Sequence, residues 1–403
     1  MESLPIVRSS AEPLSGLAAN HPCLWGEISQ QHDPSWVLEA DAYLLPTRST
    51  GSDGSRWWEA RKQGAISRDG KPISALTDLR GNRHIYPLKL DQLASVKLPT
   101  QRVARETVLY GGTLFDNFGH LLLDLSRTYQ LLRLFRNSQE PFWFHYPGKI
   151  HNSEQNLATK PVEEGESQDG SWIPNPTIRE WLNCLGILDR ARFVQKTIKC
   201  SMLASSSVLY RDRAFVSTDF PFCAKAALAP KLRRQLLTIE RSKKRIAYFS
   251  RHKLGQGTTQ FAGEEEVVET LGKLANVDII CPEEFSIKDK LKLFRSYPLI
   301  AGFPQAGLIL KYFVPHHQIN ELAQLFLFTA GPRSLNSNWV NLDRAFGFGD
   351  RILDCTPAIS RDQAERDQAE PIKPMPPMDG AFQRSNAFHV GKVIDKMRDL
   401  ASR

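Results

Sequence analysis

Strand-length apolar runs that alternate with helix-length amphipathic segments in the second half of the sequence predict an α/β fold with a parallel sheet. Two further observations agree with this class. A long apolar helix is expected in the first half, at residues 119–135. The 403 residues are also too many for one ordinary core, so two domains with a tail are expected.

Residues 22–100 carry short apolar runs, such as 35–40 and 83–88, separated by turns, which reads as small strands and loops. Trp57 and Trp58 stand in a polar stretch, where they could stack on a sugar or anchor a loop. Residues 111–127, GGTLFDNFGHLLLDLSR, pass from a glycine pair through the turn-prone Asp116-Asn117 into a run with helical character as far as Phe135. On one continuous helix, His120, Asp124 and Arg127 fall at about 0°, 40° and −20°, so a base, an acid and a cation share a narrow face. The rest of the wheel is apolar, as in a buried helix. That polar stripe then needs either a cavity or mutual hydrogen bonding within a core.

Residues 141–146 read as a buried strand, and 152–172, polar and without period, as a surface loop. A helix is expected at 176–187, with two short strands within 192–217. The clearer rhythm follows: strand 245–250, helix 264–275, strand 277–281, and helix 286–296 opened by Ser286 with Asp289 in a capping box. A strand at 297–301, a helix at 306–314 and a strand at 317–323 complete it. Ligands of such sheets bind beyond the carboxyl ends of the strands. Here those ends are Ser250-Arg251-His252-Lys253, Cys281-Pro282-Glu283-Glu284 and the turn from Gly302 to Gly307. Arg251 and Lys253, beside Gly255 and Gly257, could hold a diphosphate, and the small residues opening the helix after Gly302 let backbone N–H groups approach an anion.

Apolar content of 41% and charged content of 24% are those of a globular chain. The 52 Lys and Arg exceed the 44 Asp and Glu modestly, but residues 231–253 hold nine basic residues and one acid, Glu240. Such a run suits phosphates or an anionic membrane surface, and equally a solvated face. Aromatic residues are sparse in it and no nucleic-acid motif occurs, which argues against a nucleic-acid partner. The six scattered cysteines form no ligand spacing or disulfide framework. With neither an apolar leader core nor an 18-residue apolar run, the expectation is a cytoplasmic chain with reduced thiols.

Residues 108–135 (VLYGGTLFDNFGHLLLDLSRTYQLLRLF) and 245–323 (RIAYFSRHK … GEEEVVETL … IICPEEFSIKDKLKLFRSYPLIAGFPQAGLILKYF … INELA) resemble the bacterial branch of glycosyltransferase family 61. The ordered set of motifs, from about 105 to 345, carries the resemblance. It implies a GT-B-like architecture of two Rossmann-like domains facing across a cleft, with an N-terminal acceptor-side domain at 1–225 and a C-terminal nucleotide-sugar domain at 240–350. It further implies inverting sugar transfer to a polysaccharide or lipid-linked glycan, of the capsular or surface-polysaccharide type.

Carried over residue by residue, the family's N-terminal motif falls on Asn117, Gly119, His120 and Asp124, and its strand-end pair on Ser250 and Arg251. Its acidic turn falls on Glu283 and Glu284, its glycine turn on Gly302, Ala306 and Gly307, and its last acid on Glu321. The turn departs from the family pattern, with Pro304 and Gln305 in place of the usual His-Gly. Proline removes a donor and glutamine adds a side chain beside the donor phosphates, so a catalytically degenerate relative that binds a glycan or a partner is the alternative reading.

For the active reading, His120 is the candidate base, with Asp124 orienting it or acting instead and Asp116 third; an imidazole near its ordinary pKa of about 6.5 suits the task. Asn117 and Arg127 stand on the acceptor side. Arg251, Lys253, Gln305 and the helix after Gly302 face the donor and take the leaving-group charge, and Glu321 is the candidate for the donor ribose hydroxyls. No cofactor and no metal are required, and a UDP-sugar is the expected donor. The chain is expected in the cytoplasm, with peripheral contact to an anionic inner membrane. The tail repeats RDQAE in tandem at 361–370 within a proline-rich linker, 356–385, and ends in a helix, 386–403, expected to cross back to the N-terminal domain as in GT-B proteins.

Overall fold

The computed structural model describes residues 11–31, 35–49, 61–80, 83–85, 104–146, 175–194, 197–241, 245–254, 260–331, 333–357 and 385–402. Trp57, Trp58, the polar stretch at 152–172, Gly255, Gly257, the RDQAE repeat and most of the 356–385 linker lie outside them. The chain forms two compact units. The first comprises Ser29–Thr238 with Tyr312–Pro315, and the second Ile239–Lys311 and His316–Arg403 together with the chain start up to Ile28.

The first unit is built on a seven-stranded sheet. Its strands are β1 (Trp36–Ala40), β2 (Tyr43–Ser49), β3 (Arg61–Ile66), β4 (Ala104–Thr113), β5 (Phe142–His145), β6 (Ala191–Phe193) and β7 (Ile198–Ser206). The order is β6-β5-β4-β7-β2-β3, with β1 paired to β7. β6, β5, β4 and β7 run parallel, and β1, β2 and β3 add antiparallel pairings. Helices α1 (Phe118–Asp124), α2 (Ser126–Phe135), α3 (Pro176–Leu185), α4 (Phe220–Ala227) and α5 (Pro230–Leu237) accompany this sheet.

The expected single helix from 119 to 135 is thus two. Leu125 breaks it with ψ 17°, because the Leu122 carbonyl, which would close the turn onto Ser126 N–H, is taken by the Tyr129 hydroxyl, and Ser126 Oγ accepts Leu209 N–H at 3.0 Å. α2 lies close against β4 at Gly111: Thr128 Oγ1 donates to the Gly111 carbonyl at 2.9 Å, and a Cβ on Gly111 would meet Phe144 Cε1 at 2.3 Å.

The second unit holds a parallel sheet of β8 (Ile246–Phe249), β9 (Val277–Ile280), β10 (Leu299–Gly302), β11 (Gln324–Thr329) and β12 (Arg351–Asp354), edged by an antiparallel pairing of Glu12–Pro13 with β12. Helices α6 (Glu264–Leu271), α7 (Ile287–Ser296), α8 (Ser337–Phe346) and α9 (Val390–Ala401) accompany it. Ser286 caps α7 by accepting Asp289 N–H at 3.0 Å, as its sequence required.

The sheet order β12-β11-β10-β8-β9 is a doubly wound one that reverses direction between β8 and β10, and such a switch point opens a crevice at the carboxyl ends of its two strands. The strand expected at 317–323 is instead a 3-10 turn, Ile319–Glu321, closed by a capping box between Gln318 and Glu321; the strand begins at Gln324, with the apolar run Leu325–Phe328.

Two domain expectations need correction. Residues 11–28 belong to the second unit rather than to an N-terminal domain spanning 1–225, and the division falls at 238. Leu14 and Leu17 are buried there, Leu14 N–H donates to the Asp350 carbonyl at 2.9 Å, and Leu24 pairs with Leu335. The terminal helix α9 likewise packs on the second unit, where Val393, Ile394 and Met397 join Val267, Leu271 and Phe326 in one core. An amphipathic helix settles on the apolar surface that covers it best, here the face of α6 and the sheet.

Candidate active site

In the first unit the loop after β4 feeds α1, and Asn117 is its cap: Asn117 Oδ1 accepts His120 N–H at 3.2 Å. The cap fixes the first turn and with it His120, whose Nδ1 lies 2.8 Å from Asp124 Oδ2 one turn on. Both side chains are largely covered, at 25% and 17% exposure, yet open enough to be reached. With Nδ1–H on the carboxylate, Nε2 carries the lone pair and has no hydrogen-bond partner among the described residues. Phe115 sits beside the ring at 5.9 Å between centroids. This is the geometry of a general base with its orienting acid.

The other residues expected around this pair are committed elsewhere. Asp116 accepts from the Tyr146 hydroxyl at 2.9 Å and from Asn175 Nδ2 at 2.7 Å, a carboxylate held as a brace. Arg127, placed by the broken helix off the expected face, is 1% exposed and donates to the carbonyls of Ala75 (2.8 Å), Ser206 (2.5 Å) and Thr77 (3.3 Å). Its Nε lies 3.8 Å from Asp78 Oδ1.

Asp78, which sequence reading missed, also accepts from Thr113 Oγ1, itself bonded by Gln63 Nε2 at 2.7 Å. Burial pushes the Asp78 carboxyl up, Arg127 and Thr113 pull it down, and Asp124 raises it again, which places Asp124 within electrostatic reach of this buried network. Asp78 lies on a short strand with no motif around it, so no local signal marked it. A cavity of about 310 Å³ in this unit, lined by Trp36, Gln130, Arg133, Leu134 and Asp219, contains none of the expected site residues.

In the second unit the turns at the carboxyl ends of β8, β9 and β10 bring together the expected donor residues other than Glu321. Ser250 is fully buried and Arg251 partly so. Glu264, the first residue of α6 and only 2% exposed, gathers this turn: its Oε1 accepts Arg251 N–H at 3.0 Å, the Ser250 hydroxyl at 3.1 Å and the Tyr248 hydroxyl at 3.3 Å. Burial pushes the Glu264 carboxyl up against these bonds. The family's acidic helix signalled an acid here, but nothing local singled out the first glutamate of three.

The Arg251 guanidinium is lowered from its ordinary range by burial, with Glu264 and Glu283 opposing, and its Nε has no hydrogen-bond partner among the described residues. Lys253 pairs with Glu284 at 2.7 Å, both half-exposed, and the pair holds the Lys253 ammonium above its usual range. His252, also missed, has Nδ1 2.8 Å from Ser250 Oγ.

The glycine turn is tightly built. A Cβ on Gly302 would meet the Phe249 carbonyl oxygen at 2.6 Å, and one on Gly307 would meet Pro282 Cβ at 3.3 Å. Gln305 Nε2 donates to that same Phe249 carbonyl at 3.0 Å, so the residue that departs from the family pattern ties the turn to β8. Ala306 then opens the 3-10 helix Ala306–Phe313.

Glu321 is placed otherwise than the ribose role requires. Its carboxylate accepts Arg295 Nη1 at 2.6 Å and the N–H groups of His317 (3.2 Å) and Gln318 (3.3 Å), with Arg295 holding it below the usual carboxylate range. Among the described residues no group of three or more His, Cys, Asp and Glu could hold a metal ion, and no helix is long and apolar enough to cross a membrane. The six cysteines are buried and form no disulfide.

The model of the family described as Glycosyltransferase 61 matches residues 118–319, half of the chain. The chain belongs to glycosyltransferase family 61. No curated protein matches it. The match begins at α1 with the His120–Asp124 pair and runs through the switch-point turns to Ile319, so both candidate constellations of this glycosyltransferase lie within it. A sugar donor and a glycan acceptor are the partners that family membership suggests.

Proposed function

We propose that this glycosyltransferase moves a sugar, with inversion, from a UDP-sugar to a hydroxyl of a polysaccharide or lipid-linked glycan. In this reading the GT-B arrangement holds: the second unit takes the donor at the switch point between β8 and β10, and the first unit supplies the base. The observation that carries it is the His120–Asp124 pair, which leaves Nε2 as the basic nitrogen.

His120 Nε2 takes the proton of the acceptor hydroxyl as that oxygen bonds to the anomeric carbon. The bond from that carbon to the diphosphate breaks with its electron pair leaving on the phosphate. Asp124 stabilises the imidazolium so formed. Arg251 and Lys253 take the leaving charge in place of a metal. Lys253 can be released from Glu284 at little cost, since an ion pair between exposed side chains contributes little.

Changing His120 to Ala is expected to lower turnover by about 10²- to 10⁴-fold while leaving UDP binding unchanged, read by initial rates and calorimetry. Equal turnover in the variant removes His120 from the reaction. The setting we propose is bacterial capsule or surface-polysaccharide synthesis in the cytoplasm, with peripheral membrane contact through exposed Lys231 and Arg234 on α5. Sedimentation with anionic vesicles at low salt tests the membrane part, and a protein that stays in solution refutes it.

A further inference from the structure

Beyond the residues already assigned, the loop after β8 holds one imidazole whose orientation is fixed from behind. Ser250 has a single hydroxyl proton, and it is committed to Glu264 Oε1 at 3.1 Å. Its oxygen can therefore only accept from His252, and it does so twice, from the backbone N–H at 3.1 Å and from Nδ1 at 2.8 Å. The proton of the neutral imidazole is thereby placed on Nδ1, and Nε2 is left for a ligand.

We infer that His252 is a further donor-site residue, whose imidazolium donates Nε2–H to a phosphate oxygen of the nucleoside diphosphate, with Ser250 and Glu264 as its positioning residues. This rests on the donor reading above. When His252 is neutral, Nε2 presents a bare lone pair and repels a phosphate oxygen; when it is protonated, both ring nitrogens donate, one to Ser250 and one to the ligand. No proton need leave His252 during transfer, because the electron pair of the broken glycosyl bond stays on the phosphate, which the Nε2–H bond then stabilises.

The charged and titratable groups around the ring are Glu264 through Ser250, Arg251 and Lys253 on its own loop, and the turn after β9. In that turn Cys281 Sγ lies 3.9 Å from His252 Nδ1, Glu284 pairs with Lys253 and Glu283 acts on Arg251. Arg251 and Lys253 are thus partly neutralised by acids, so a third cation on the diphosphate has a use.

The test is calorimetric binding of UDP, and of uridine as the phosphate-free control, from pH 5.5 to 8.5, to the full-length protein and to His252→Gln, Ser250→Ala and Glu264→Gln, each checked for folding by circular dichroism. The titration of UDP itself is common to all four proteins and cancels in their ratios. His252→Gln is expected to bind UDP at least about tenfold more weakly than the wild type at pH 6, with the gap closing by pH 8.5 and uridine binding unmoved. Ser250→Ala, which frees the ring, shows part of that loss, and Glu264→Gln, whose amide oxygen still accepts, keeps the pH response.

Equal UDP affinity and pH response in the wild type and His252→Gln overturn the inference while the donor reading stands. A pH response that survives in His252→Gln and vanishes in Glu264→Gln also overturns it, since Glu264 is then the titrating group. A wild type that binds neither UDP nor any other nucleoside diphosphate overturns the donor reading and this inference together.

Discussion

Replacing Asp343 by Asn is expected to stabilise the protein at neutral and alkaline pH and to leave it unchanged in mild acid. Asp343 is fully buried on α8, with Oδ1 accepting Asp350 N–H at 2.8 Å and Oδ2 without a hydrogen-bond partner among the described residues. Asp350 is also buried and accepts Lys311 Nζ at 2.6 Å and Leu325 N–H at 2.8 Å. Two carboxylates thus face one buried ammonium, and burial first, then Asp350, pushes the Asp343 carboxyl up to about 6 from an ordinary value of 3.8.

Since the folded-state pKa lies above the unfolded one, the stability tied to this proton is fully present below about pH 4 and is lost as pH rises through about 6. About two pKa units at 1.36 kcal/mol each make the ionised form cost at most about 3 kcal/mol above pH 7. Asparagine keeps an oxygen for Asp350 N–H and carries no charge. The variant should therefore unfold about 5–10 °C higher than the wild type at pH 8, by differential scanning calorimetry, with the difference shrinking to nothing toward pH 4. A variant less stable than the wild type at pH 8, or a difference that ignores pH, refutes the reasoning.

Gly111→Ala should lower stability by at least about 2 kcal/mol in urea titrations, because its Cβ would sit 2.3 Å from Phe144 Cε1 and 2.7 Å from Thr128 Oγ1, where α2 meets β4; an unmoved midpoint would show that the helix yields freely. Glu321→Ala should reduce the melting temperature, by leaving the buried Arg295 without its acid, and should not change UDP affinity. The opposite pattern, weakened UDP binding at an unchanged melting temperature, would put the carboxylate on the ribose after all. Lys253→Ala should leave the melting temperature where it is and weaken UDP binding in calorimetry; unchanged affinity would take Lys253 out of the donor site.

The second unit was the more legible in sequence because its elements are marked by local chemistry. The short strands β8, β9 and β10, apolar but for Asp278, and the Ser286–Asp289 cap of α7 need no distant partner to be recognised. Part of what could not be read depended on contacts far along the chain. The break at Leu125 goes with the bonds of Tyr129 and Leu209, and Arg127 two residues on is a buried strut that donates to the carbonyls of Ala75 and Ser206. The capping box at Gln318–Glu321 displaced the last strand by a few residues and spent the acid expected to bind ribose. The His120–Asp124 pair was readable because it spans one helical turn, whereas Asp78, more than forty residues away, was not.

The basic stretch at 231–253 shows why a count of charges does not mark a binding surface. Arg241 donates to the carbonyls of Tyr297, Asn320, Pro298 and Leu322, so its guanidinium is spent on backbone acceptors. Arg245 forms a two-pronged pair with Asp278. Neither can turn to an anion without leaving acceptors unpaired.

Lys253 is different, because its partner is as exposed as it is, and Arg251 is different again, because its buried Nε has no partner among the described residues. A phosphate entering the turn therefore gains the released charge of one residue and the unspent donor of another, without dismantling the fold. Of the cations along this stretch, those two and His252 between them follow β8, whereas Arg241 and Arg245 serve the architecture around them.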